Sequence, residues 1–391
     1  MTDKAGARRG LLWAGRGVIA LVSTAVVAAM AVVWARVDTF QDKVTTTDAV
    51  VEAQNAPDAP PADDGANDIL LVGSDTRTDL QGRPLSPSVL SLLRTEATDT
   101  VNTDTLILLR LPRDGGKGFA VSIPRDTYVA VPGLGDRKIN SAFGTAKLRK
   151  AEELVAAGEP DRARIERESD STGRTALIQA VQGLTGVRVD HYAEITLYGF
   201  YLLTEAIDGV DVCLKQGTSD TDSGANFRAG QQTVRGGDAV AFVRQRKGLP
   251  NGDLGRIVRQ QTFLASAMNK VLSGGTLTDP DRLGRLEDAV ARTVVMDPGL
   301  HFLDLVNQAQ ALASGAVEFT TIPVTSADGR SADGQSIVSV DVPAVKNYVA
   351  KLLSDAPPPK PAPPSVREDG LAGGKLLSLN GRARAAAPCV D

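Results

Sequence analysis

One uncharged run, GVIALVSTAVVAAMAVVWA at residues 17–35, restricts where the rest of the chain can fold. At the rise of an α-helix, this run is long enough to cross a hydrocarbon core of ~30 Å. Basic residues such as Arg8 and Arg9 precede it and aspartates follow it, so the charge bias predicts a cytoplasmic N-terminus and an extracellular remainder. A cleaved signal peptide is the alternative, because Ala29 and Ala31 have the spacing of a cleavage site. The run continues beyond Ala31, which favours an uncleaved, single-pass anchor in the cell membrane.

Two proline-rich stretches divide the chain after the apolar run. NAPDAPPADDGAN ends a polar segment at 36–67, and PPPKPAPPS lies in the final segment at 355–391. Proline-rich sequence without apolar periodicity is typical of extended linkers. The sequence therefore predicts a cytoplasmic tail at 1–16, the anchor, an extracellular spacer at 36–67, one folded domain at 68–354 and a C-terminal tail at 355–391.

Short apolar runs alternate with longer stretches of helical spacing in the predicted domain. Strands are predicted at 69–73, 105–111, 119–123, 190–197, 210–214, 317–323 and 337–342, and helices at 175–184, 199–207, 237–243, 254–272, 281–294, 303–313 and 343–353. Several of the strands are continuous apolar runs, which is typical of strands covered on both faces. This alternation predicts an α/β fold of three layers.

One charged stretch interrupts the alternation. Residues 147–168 are rich in Ala, Glu, Arg and Lys, and the turn sequence Gly158-Glu159-Pro160 lies within them. The pattern predicts a solvated helical hairpin on the surface, to which no chemistry is assigned.

The composition excludes several classes of site. The formal net charge is −4, so the chain lacks the positive excess of a protein that wraps nucleic acid. Only two histidines, His191 and His301, and two cysteines are present, which excludes the usual Cys/His zinc site. The phosphate-loop pattern GxxxxGK[ST] and the hydrolase pattern GxSxG are absent. His191 is interpreted as a strand-start or core residue rather than a base.

The two cysteines are Cys213 and Cys389. Both lie on the predicted extracellular side, where disulfides persist. A bridge would tie the proline-rich tail to the predicted strand that contains Cys213. Two free thiols are the alternative that remains open.

A short segment at 237–268, GDAVAFVRQRKGLPNGDLGRIVRQQTFLASAM, concentrates arginine in a protein of negative net charge. Arginine binds phosphate or carboxylate through two parallel N–H groups, so Arg244, Arg246 and Arg256 can converge on one anion. Arg259 lies three residues further on and can share the same face. An amphipathic basic helix on anionic lipid is the alternative, but such a helix would be richer in lysine and more regular. The segment favours an anion site, and a phosphate site in particular.

Acidic residues flank two of the predicted buried strands. Asp75 follows the strand at 69–73, and Asp104 precedes the strand at 105–111. If the two strands are neighbours, the carboxylates can share a hard cation such as Mg²⁺, although aspartate also caps turns in these contexts. Arg77 follows Asp75, and Arg125 follows the strand at 119–123. A surface ion pair with Asp126 is the alternative for Arg125.

Taken in order, the motifs ILLVGSDTR, TDTLILLRL, SIPRDTYV, KINSAF, VDHYAEITLYGF, IDGVDVCL and GGDAVAFVRQRKGLPNGDLGRIVRQQ resemble those of the LytR-CpsA-Psr (LCP) proteins. The resemblance covers residues 68–270, and the last motif together with the final CVD is similar to actinobacterial members. The charged stretch at 145–173 is longer than the family pattern predicts, and it can alter the rim of the site. A separate C-terminal domain, found in some relatives, is not expected after Leu353.

The resemblance implies a three-layer α-β-α fold with a central mixed sheet and an enzyme of cell-wall assembly. Such a phosphotransferase moves a glycopolymer from a polyprenyl-pyrophosphate carrier to peptidoglycan through a phosphodiester link. Apolar helices at 200–207 and 254–268 would line a tunnel for the lipid tail. By motif, Asp75 and Asp104 would hold Mg²⁺ on the pyrophosphate. The implied phosphate-binding residues are Arg77, Arg125, Arg244, Arg246 and Arg256, with Lys138, Arg259 and Gln260 as weaker candidates.

The implied catalytic residues are Asp75, Asp104 and Arg125, and Asp75 is the candidate base for the acceptor hydroxyl. Two other functions use the same residues: hydrolysis of the lipid pyrophosphate, or binding of wall polyanions or lipid without turnover. A role on nucleic acid is disfavoured, because the basic segment would lie outside the cell. The choice among arabinogalactan, teichoic acid and capsule stays open.

Overall fold

The computed structural model describes residues 44–62, 65–98, 101–113, 116–249, 252–273, 279–300, 317–354 and 389–391. The predicted anchor at 17–35, the predicted helix at 303–313 and most of the predicted tail lie outside these residues. Within them, no helix combines the length and the apolar character that crossing a membrane requires.

The described residues form helices and strands in alternation. The helices are α1 (Ala49–Gln54), α2 (Pro87–Leu92), α3 (Ala142–Ala156), α4 (Arg162–Thr185), α5 (Leu197–Ala206), α6 (Gly236–Arg244), α7 (Asp253–Ser273), α8 (Pro280–Thr293) and α9 (Val342–Ser354). The strands are β1 (Thr45–Thr46), β2 (Ala66–Ser74), β3 (Thr103–Pro112), β4 (Gly118–Ser122), β5 (Tyr128–Val131), β6 (Gly135–Lys138), β7 (His191–Thr196), β8 (Val210–Leu214), β9 (Thr218–Asp220), β10 (Ala225–Phe227), β11 (Gly230–Val234), β12 (Val294–Met296), β13 (Val317–Thr321), β14 (Ser326–Arg330), β15 (Ser336–Ser339) and β16 (Cys389–Val390).

A mixed seven-stranded sheet has the order β1-β12-β7-β2-β3-β4-β13. Strands β2 and β3 are antiparallel, as are β3 and β4, whereas β2 pairs with β7 in parallel and β4 with β13 in parallel. Successive residues of a strand point to opposite faces. Val121 of β4 packs in the core that α1, α3, α4 and α9 form on one face. Its neighbour Ser122 accepts a hydrogen bond of 2.9 Å from Gln261 of α7 on the other face. The predicted α/β class with a mixed central sheet is therefore confirmed.

A second, smaller core packs α6 and α7 against the β8 region. Phe242 of α6 and Phe263 of α7 are buried, with ring centroids 6.1 Å apart. Val212 and Leu214 of β8 and Val390 of β16 belong to the same cluster. This core fixes the orientation of the arginine-rich segment at 237–268.

The structure departs from the sequence predictions at two helices. Within the predicted spacer at 36–67, α1 is an ordered helix whose Ala49, Val50 and Ala53 are buried in the main core. The predicted helix at 175–184 is only the second half of α4, because the charged residues before it continue the same helix. They are held there by ion pairs, among them one of 2.7 Å between Lys147 of α3 and Asp170.

Candidate functional site

The sheet topology brings three sequence-distant segments to one edge. Strand β2 ends at Ser74, its antiparallel neighbour β3 starts at that edge, and β4 runs parallel to β2 and ends there too. The main-chain N–H of Asp75 donates to the carbonyl of Asn102 at 2.8 Å. Gly73 pairs with Thr105 while Ser74 pairs with Thr103, so Asp104 is the extra residue of a β-bulge. Bulges redirect side chains at sheet edges, and here the bulged residue, Asp104, is a predicted ligand of Mg²⁺.

Asp104 and Arg125 form an ion pair, with Arg125 Nη1 donating to Asp104 Oδ2 at 2.7 Å. Burial on its own raises the pKa of Asp104, but the guanidinium groups of Arg125, Arg256 and Arg246 outweigh burial and hold that pKa below its ordinary value. Asp126, the predicted alternative partner of Arg125, lies further away, at 3.6 Å from Nε. The geometry therefore places Arg125 with Asp104 rather than with a surface partner.

Arg77 forms an ion pair with the carboxylate of Asp75 at this edge. Its Nη1 donates to Asp75 Oδ1 at 2.5 Å and to the Asp75 carbonyl at 2.7 Å, and its Nη2 donates to Oδ2 at 3.2 Å. Its Nε donates to Thr95 Oγ1 at 3.0 Å and to the Glu96 carbonyl at 3.2 Å. A guanidinium has five N–H groups, so these bonds leave at most one of them for a ligand. Arg77 is thus placed to orient Asp75 more than to bind an anion itself.

The arginine-rich segment meets this sheet edge through Asp253. Helix α6 ends at Arg244, and α7 begins at Asp253. Asp253 Oδ1 lies 2.9 Å from Arg256 Nη2, 3.4 Å from Arg246 Nε and 3.7 Å from Arg125 Nε. Arg256 Nη2 also donates to the Asp104 carbonyl at 3.4 Å. The two predicted halves of the site are therefore one assembly.

Asp253 was not among the residues that the sequence singled out. In the sequence it reads as a turn or helix-start residue in the loop Pro250-Asn251-Gly252-Asp253. Its spacing of three residues from Arg256 puts both side chains on one helix face, and this was the available signal. Its contact with Arg125 could not be foreseen, because it depends on how α7 lies against the sheet.

Arg244 is linked to Arg77 through the segment Arg94–Glu96. Arg244 Nη1 donates to the Arg94 carbonyl at 3.5 Å, and the next two residues hold Arg77. Arg94 adopts a left-handed φ of 52°, which is uncommon for a side chain of this size, and it is secured by Asp238 of α6 at 2.5 Å. No role was predicted for this segment, since it carries no motif.

Positive charge exceeds negative charge in the assembly. Five arginines surround three aspartates; the arginines are Arg77, Arg125, Arg244, Arg246 and Arg256, and the aspartates are Asp75, Asp104 and Asp253. Burial lowers the pKa of Arg244 and of Arg256, and the nearby carboxylates offset this only in part. The fold thus disfavours the positive charge of both guanidinium groups, so a bound anion would stabilise the assembly.

Several buried polar atoms of the assembly have no hydrogen-bond partner. They are Asp104 Oδ1, Arg125 Nε, Arg256 Nε, Thr76 Oγ1 and Asp253 Oδ2, while Asp253 Oδ1 makes only its ion-pair contacts with the arginines. Buried groups of this kind are costly and are expected to be satisfied by a ligand or water. Asp104 Oδ1 is suited to a hard cation, and the arginine N–H groups are suited to phosphate.

Three weaker candidates lie at the margin of the assembly. Lys138 of β6 pairs with Asp126 at 3.0 Å, next to Arg125. Gln260 donates to the Val243 carbonyl at 3.2 Å, and Arg259 donates to Gln245 Oε1 at 2.7 Å. None of these contacts reaches Asp75, Asp104 or Asp253. Their role in binding stays a prediction.

His191 lies away from the arginine assembly. His191 pairs with Ile69 at the opposite end of β2 from Asp75, and its Nδ1 is 3.1 Å from Asp297 Oδ1. Cys213 and Cys389 are joined in a disulfide, which confirms that prediction over two free thiols.

Comparison with known proteins identifies a matching family and two relatives. A model of the LytR_cpsA_psr family matches residues 33–353. The cell wall biosynthesis protein LcpA of Corynebacterium glutamicum is 48% identical over 308 residues, which are 79% of this chain and 59% of LcpA. The polyisoprenyl-teichoic acid–peptidoglycan teichoic acid transferase TagU of Oceanobacillus iheyensis is 32% identical over 199 residues, 51% of this chain and 54% of TagU. This chain therefore spans under two thirds of the length of either relative.

A solved structure shares the fold at low sequence identity. TagV of Bacillus subtilis superposes with a TM-score of 0.53 at 18% identity, covering 75% of this chain and 98% of TagV. At that identity the likeness concerns the fold alone. It agrees with the mixed sheet and flanking helices described above.

Proposed function

The chain belongs to the LytR-CpsA-Psr family, and from this premise we propose that it transfers a glycopolymer with its attached phosphate from a polyprenyl-pyrophosphate carrier to a hydroxyl of peptidoglycan, forming a phosphodiester link and releasing polyprenyl phosphate. The observation that carries the proposal is the excess of arginine over aspartate at one edge of the sheet, where the Arg256 side chain is buried and that of Arg125 is largely so. A pyrophosphate supplies the negative charge that this assembly lacks and the acceptor oxygens that its unpaired N–H groups require.

In the proposed reaction, Arg125, Arg246 and Arg256 bind the pyrophosphate. All three already lie within 3.7 Å of Asp253 Oδ1, so they converge on one point without a large rearrangement. Phosphoryl transfer depends on positioning and on neutralising charge more than on covalent catalysis. Arginines that are fixed before the substrate arrives meet both requirements.

Asp104 and Asp75 are the proposed Mg²⁺ ligands. Asp104 offers the buried oxygen Oδ1, which has no hydrogen-bond partner. Both oxygens of Asp75 are bonded to Arg77, but a carboxylate oxygen keeps a second lone pair for a cation. Bound Mg²⁺ would neutralise charge on the phosphate oxygens. The residues present fit such an ion, with the phosphates supplying the remaining ligands.

Asp75 is also the proposed base for the acceptor hydroxyl. Its Oδ2 has the longer of the two contacts to Arg77, at 3.2 Å, and is the oxygen better able to accept a proton. Arg77 holds the carboxylate in one orientation, which a base requires because proton transfer depends on hydrogen-bond geometry.

The anchor predicted at 17–35 would hold these residues at the outer face of the cell membrane, where both a lipid-linked donor and peptidoglycan are within reach. The printed names of the relatives support this class of substrate: cell wall biosynthesis for LcpA, and transfer of teichoic acid to peptidoglycan for TagU. The glycopolymer of this protein is left unnamed in the proposal.

The test uses the full chain in detergent with a synthetic polyprenyl-pyrophosphate-linked oligosaccharide, Mg²⁺ and purified peptidoglycan. Linkage analysis is expected to find the oligosaccharide joined to peptidoglycan through a phosphodiester. Free glycosyl phosphate without linked product would mean that the protein is a hydrolase. Tight binding without either product would make it a binding protein.

An exposed arginine provides the matched control. Arg83 pairs with Asp79 on the surface, six residues from Arg77, and its side chain is 74% exposed. Arg83→Gln is expected to leave linkage unchanged, whereas Asp75→Ala is expected to abolish linkage and to retain binding. Normal turnover by Asp75→Ala would remove Asp75 from the proposed chemistry.

A further inference from the structure

Gln245 lies between two of the proposed phosphate-binding arginines and is fully buried. Its Nε2 donates to Thr218 Oγ1 and to the Lys247 carbonyl at 3.0 Å, and its Oε1 accepts from Arg259 Nη1 at 2.7 Å. Turning this side chain would break all three bonds. Because Arg244 and Arg246 are its immediate neighbours in the chain, Gln245 sets the backbone from which both of them project.

Arg259 is a buried cation with no carboxylate side chain bonded to it. Its Nε donates to the main-chain oxygen of Asp391 at 2.6 Å, and its guanidinium lies 5.0 Å from the ring centroid of Phe242. Burial lowers the pKa of Arg259 to about 10, and Asp391 opposes this only in part. A cation held at this cost, where an apolar side chain would pack, departs from the rules of a stable core. Departures of this kind are expected where a residue serves function.

The partner of Arg259 is tethered from a distant part of the chain. Strand β16 pairs in parallel with β8, with Cys389 opposite Cys213 and Val390 opposite Leu214. The disulfide between the two cysteines closes a separation of 176 residues. The Lys215 N–H also donates to the Val390 carbonyl at 2.8 Å. These contacts hold the main-chain oxygen of Asp391 against Arg259.

We propose that Arg259 and Gln245 are positioning residues for the arginine half of the site, and that the disulfide-tethered strand β16 is their anchor. The contacts run from the disulfide to the Asp391 main-chain oxygen, then to Arg259, to Gln245 and to the Arg244–Arg246 backbone. The inference rests on the proposed function, since it assigns a purpose to these contacts within that same site. Its consequence is that the site is complete only after Cys213 and Cys389 are oxidised.

The oxidation is a thiol–disulfide exchange. The two protein thiols lose two protons and two electrons to an external disulfide, one S–S bond forms in the protein, and the external disulfide leaves as two thiols. Oxidised glutathione serves as that reagent in the test. The thiols are expected to stay reduced in the cytoplasm and to be oxidised only outside it.

The test measures turnover by the full chain in detergent, with a synthetic polyprenyl-pyrophosphate-linked disaccharide, Mg²⁺ and peptidoglycan. Arg259→Lys keeps the charge, but a single ammonium group cannot bridge Gln245 and Asp391 as the guanidinium does. A misplaced catalytic group costs up to about 100-fold in rate, so we expect kcat to fall about 10- to 100-fold with a smaller change in KM. The pair Cys213→Ser and Cys389→Ser, and the wild type reduced with dithiothreitol, are expected to show the same loss. Oxidised glutathione is expected to restore the reduced wild type.

Combining the substitutions separates positioning from general stability. Residues that act through one set of contacts have non-additive effects, so adding Arg259→Lys to the two serine substitutions is expected to cause no further loss. If the combined variant loses turnover by the product of the separate losses, the inference is overturned. Lys215→Ala is the control, because it removes only the surface ion pair with the Asp391 side chain, and it is expected to keep full turnover.

Amide hydrogen exchange at Arg244–Lys247 tests the positioning without any substrate. We expect faster exchange there in Arg259→Lys and in the reduced wild type, with α4 unchanged. Unchanged exchange and turnover after reduction would overturn the inference while leaving the proposed function intact. If reduction speeds exchange at Arg244–Lys247 but the oxidised wild type never turns over the lipid-linked substrate, the proposed function is overturned instead. If Arg259→Lys does not fold, the reduced wild type and the serine pair decide the outcome.

Discussion

Two groups of buried arginines and carboxylates lie on either side of β2's end, and they differ in how completely they are satisfied. On the core side, Arg174 of α4 donates to Glu194 at 2.8 Å, and Tyr192 donates to the same carboxylate at 3.0 Å. No buried side-chain nitrogen or oxygen of these three residues lacks a hydrogen-bond partner. In the candidate site, by contrast, Asp104, Arg125, Arg256 and Asp253 all keep buried polar atoms that make no hydrogen bond.

The same contrast is visible in the titration of the arginines. Burial on its own lowers the pKa of Arg174, but Glu194 and Asp170 outweigh it and raise that pKa above its ordinary value. For Arg256, burial prevails over Asp253 and lowers the pKa. The protein's own carboxylates therefore stabilise the charge of Arg174, and also that of Arg125 in the second group, whereas they do not offset burial for Arg256. The difference separates a structural ion pair from a site built for an anion.

The largest expected effect is on the structural pair. Arg174→Met leaves the Glu194 charge buried without its partner, which costs about 3–5 kcal/mol of unfolding free energy. Urea unfolding measures this loss. Adding Glu194→Gln is expected to recover part of it, because the uncompensated charge is then gone. An unchanged midpoint in Arg174→Met would mean that the pair does not stabilise the fold.

The opposite pattern is expected at Arg256. Arg256→Met should lower turnover of the lipid-linked substrate about 100- to 1,000-fold, as the loss of one preorganised donor does in other enzymes. Its unfolding free energy should stay the same or rise, because the fold disfavours this charge. Arg235→Met is the control, since Arg235 is exposed and lies 3.9 Å from Glu205, and it should change neither quantity. A strongly destabilised Arg256→Met would erase the distinction between the two groups.

Inorganic pyrophosphate should distinguish the groups by binding. A ligand of the folded state at 100 times its Kd adds about 2.7 kcal/mol of stability. We expect thermal unfolding of the wild type and of Arg174→Met to shift upward with pyrophosphate and Mg²⁺, and that of Arg256→Met to shift less. Equal shifts in all three proteins would place the anion somewhere other than at Arg256.

Several strands were predictable because they are continuous apolar runs, and most of the predicted strands at 69–214 appear within a few residues of their predicted bounds. Their order in the sheet was not, because pairing joins segments as distant as β4 and β13. Helix α1 was missed because only Ala49, Val50 and Ala53 form its apolar face and polar residues flank it on both sides. The first half of α4 was predicted within the helical hairpin at 147–168, but its continuation into the predicted helix at 175–184 was not, because the polar residues at 169–174 between them have no apolar stripe.

The site was predictable where charge marks it and obscure where it does not. Arg125 and Asp104 were named from their places at strand ends, and the fold brings them to 2.7 Å. Asp253 was passed over as a turn residue, because its local sequence does not show that Arg125 lies beside it. Gln245 was passed over since a neutral amide between two arginines attracts no attention, although its three bonds fix the segment.

The smallest expected effect concerns acid stability. The folded-state pKa of Asp104 lies below 3.8, so this carboxylate contributes stability that is present above pH 3.8 and is lost as the pH falls through the folded-state value. Its side chain is 27% exposed, and solvent screening limits the size of the contribution. Arg125→Gln removes the largest interaction that lowers this pKa, so the pKa of Asp104 should rise. Urea midpoints measured from pH 6 to pH 3 should then begin to fall at a higher pH than in the wild type. Identical pH profiles would mean that Arg125 does not govern the ionisation of Asp104.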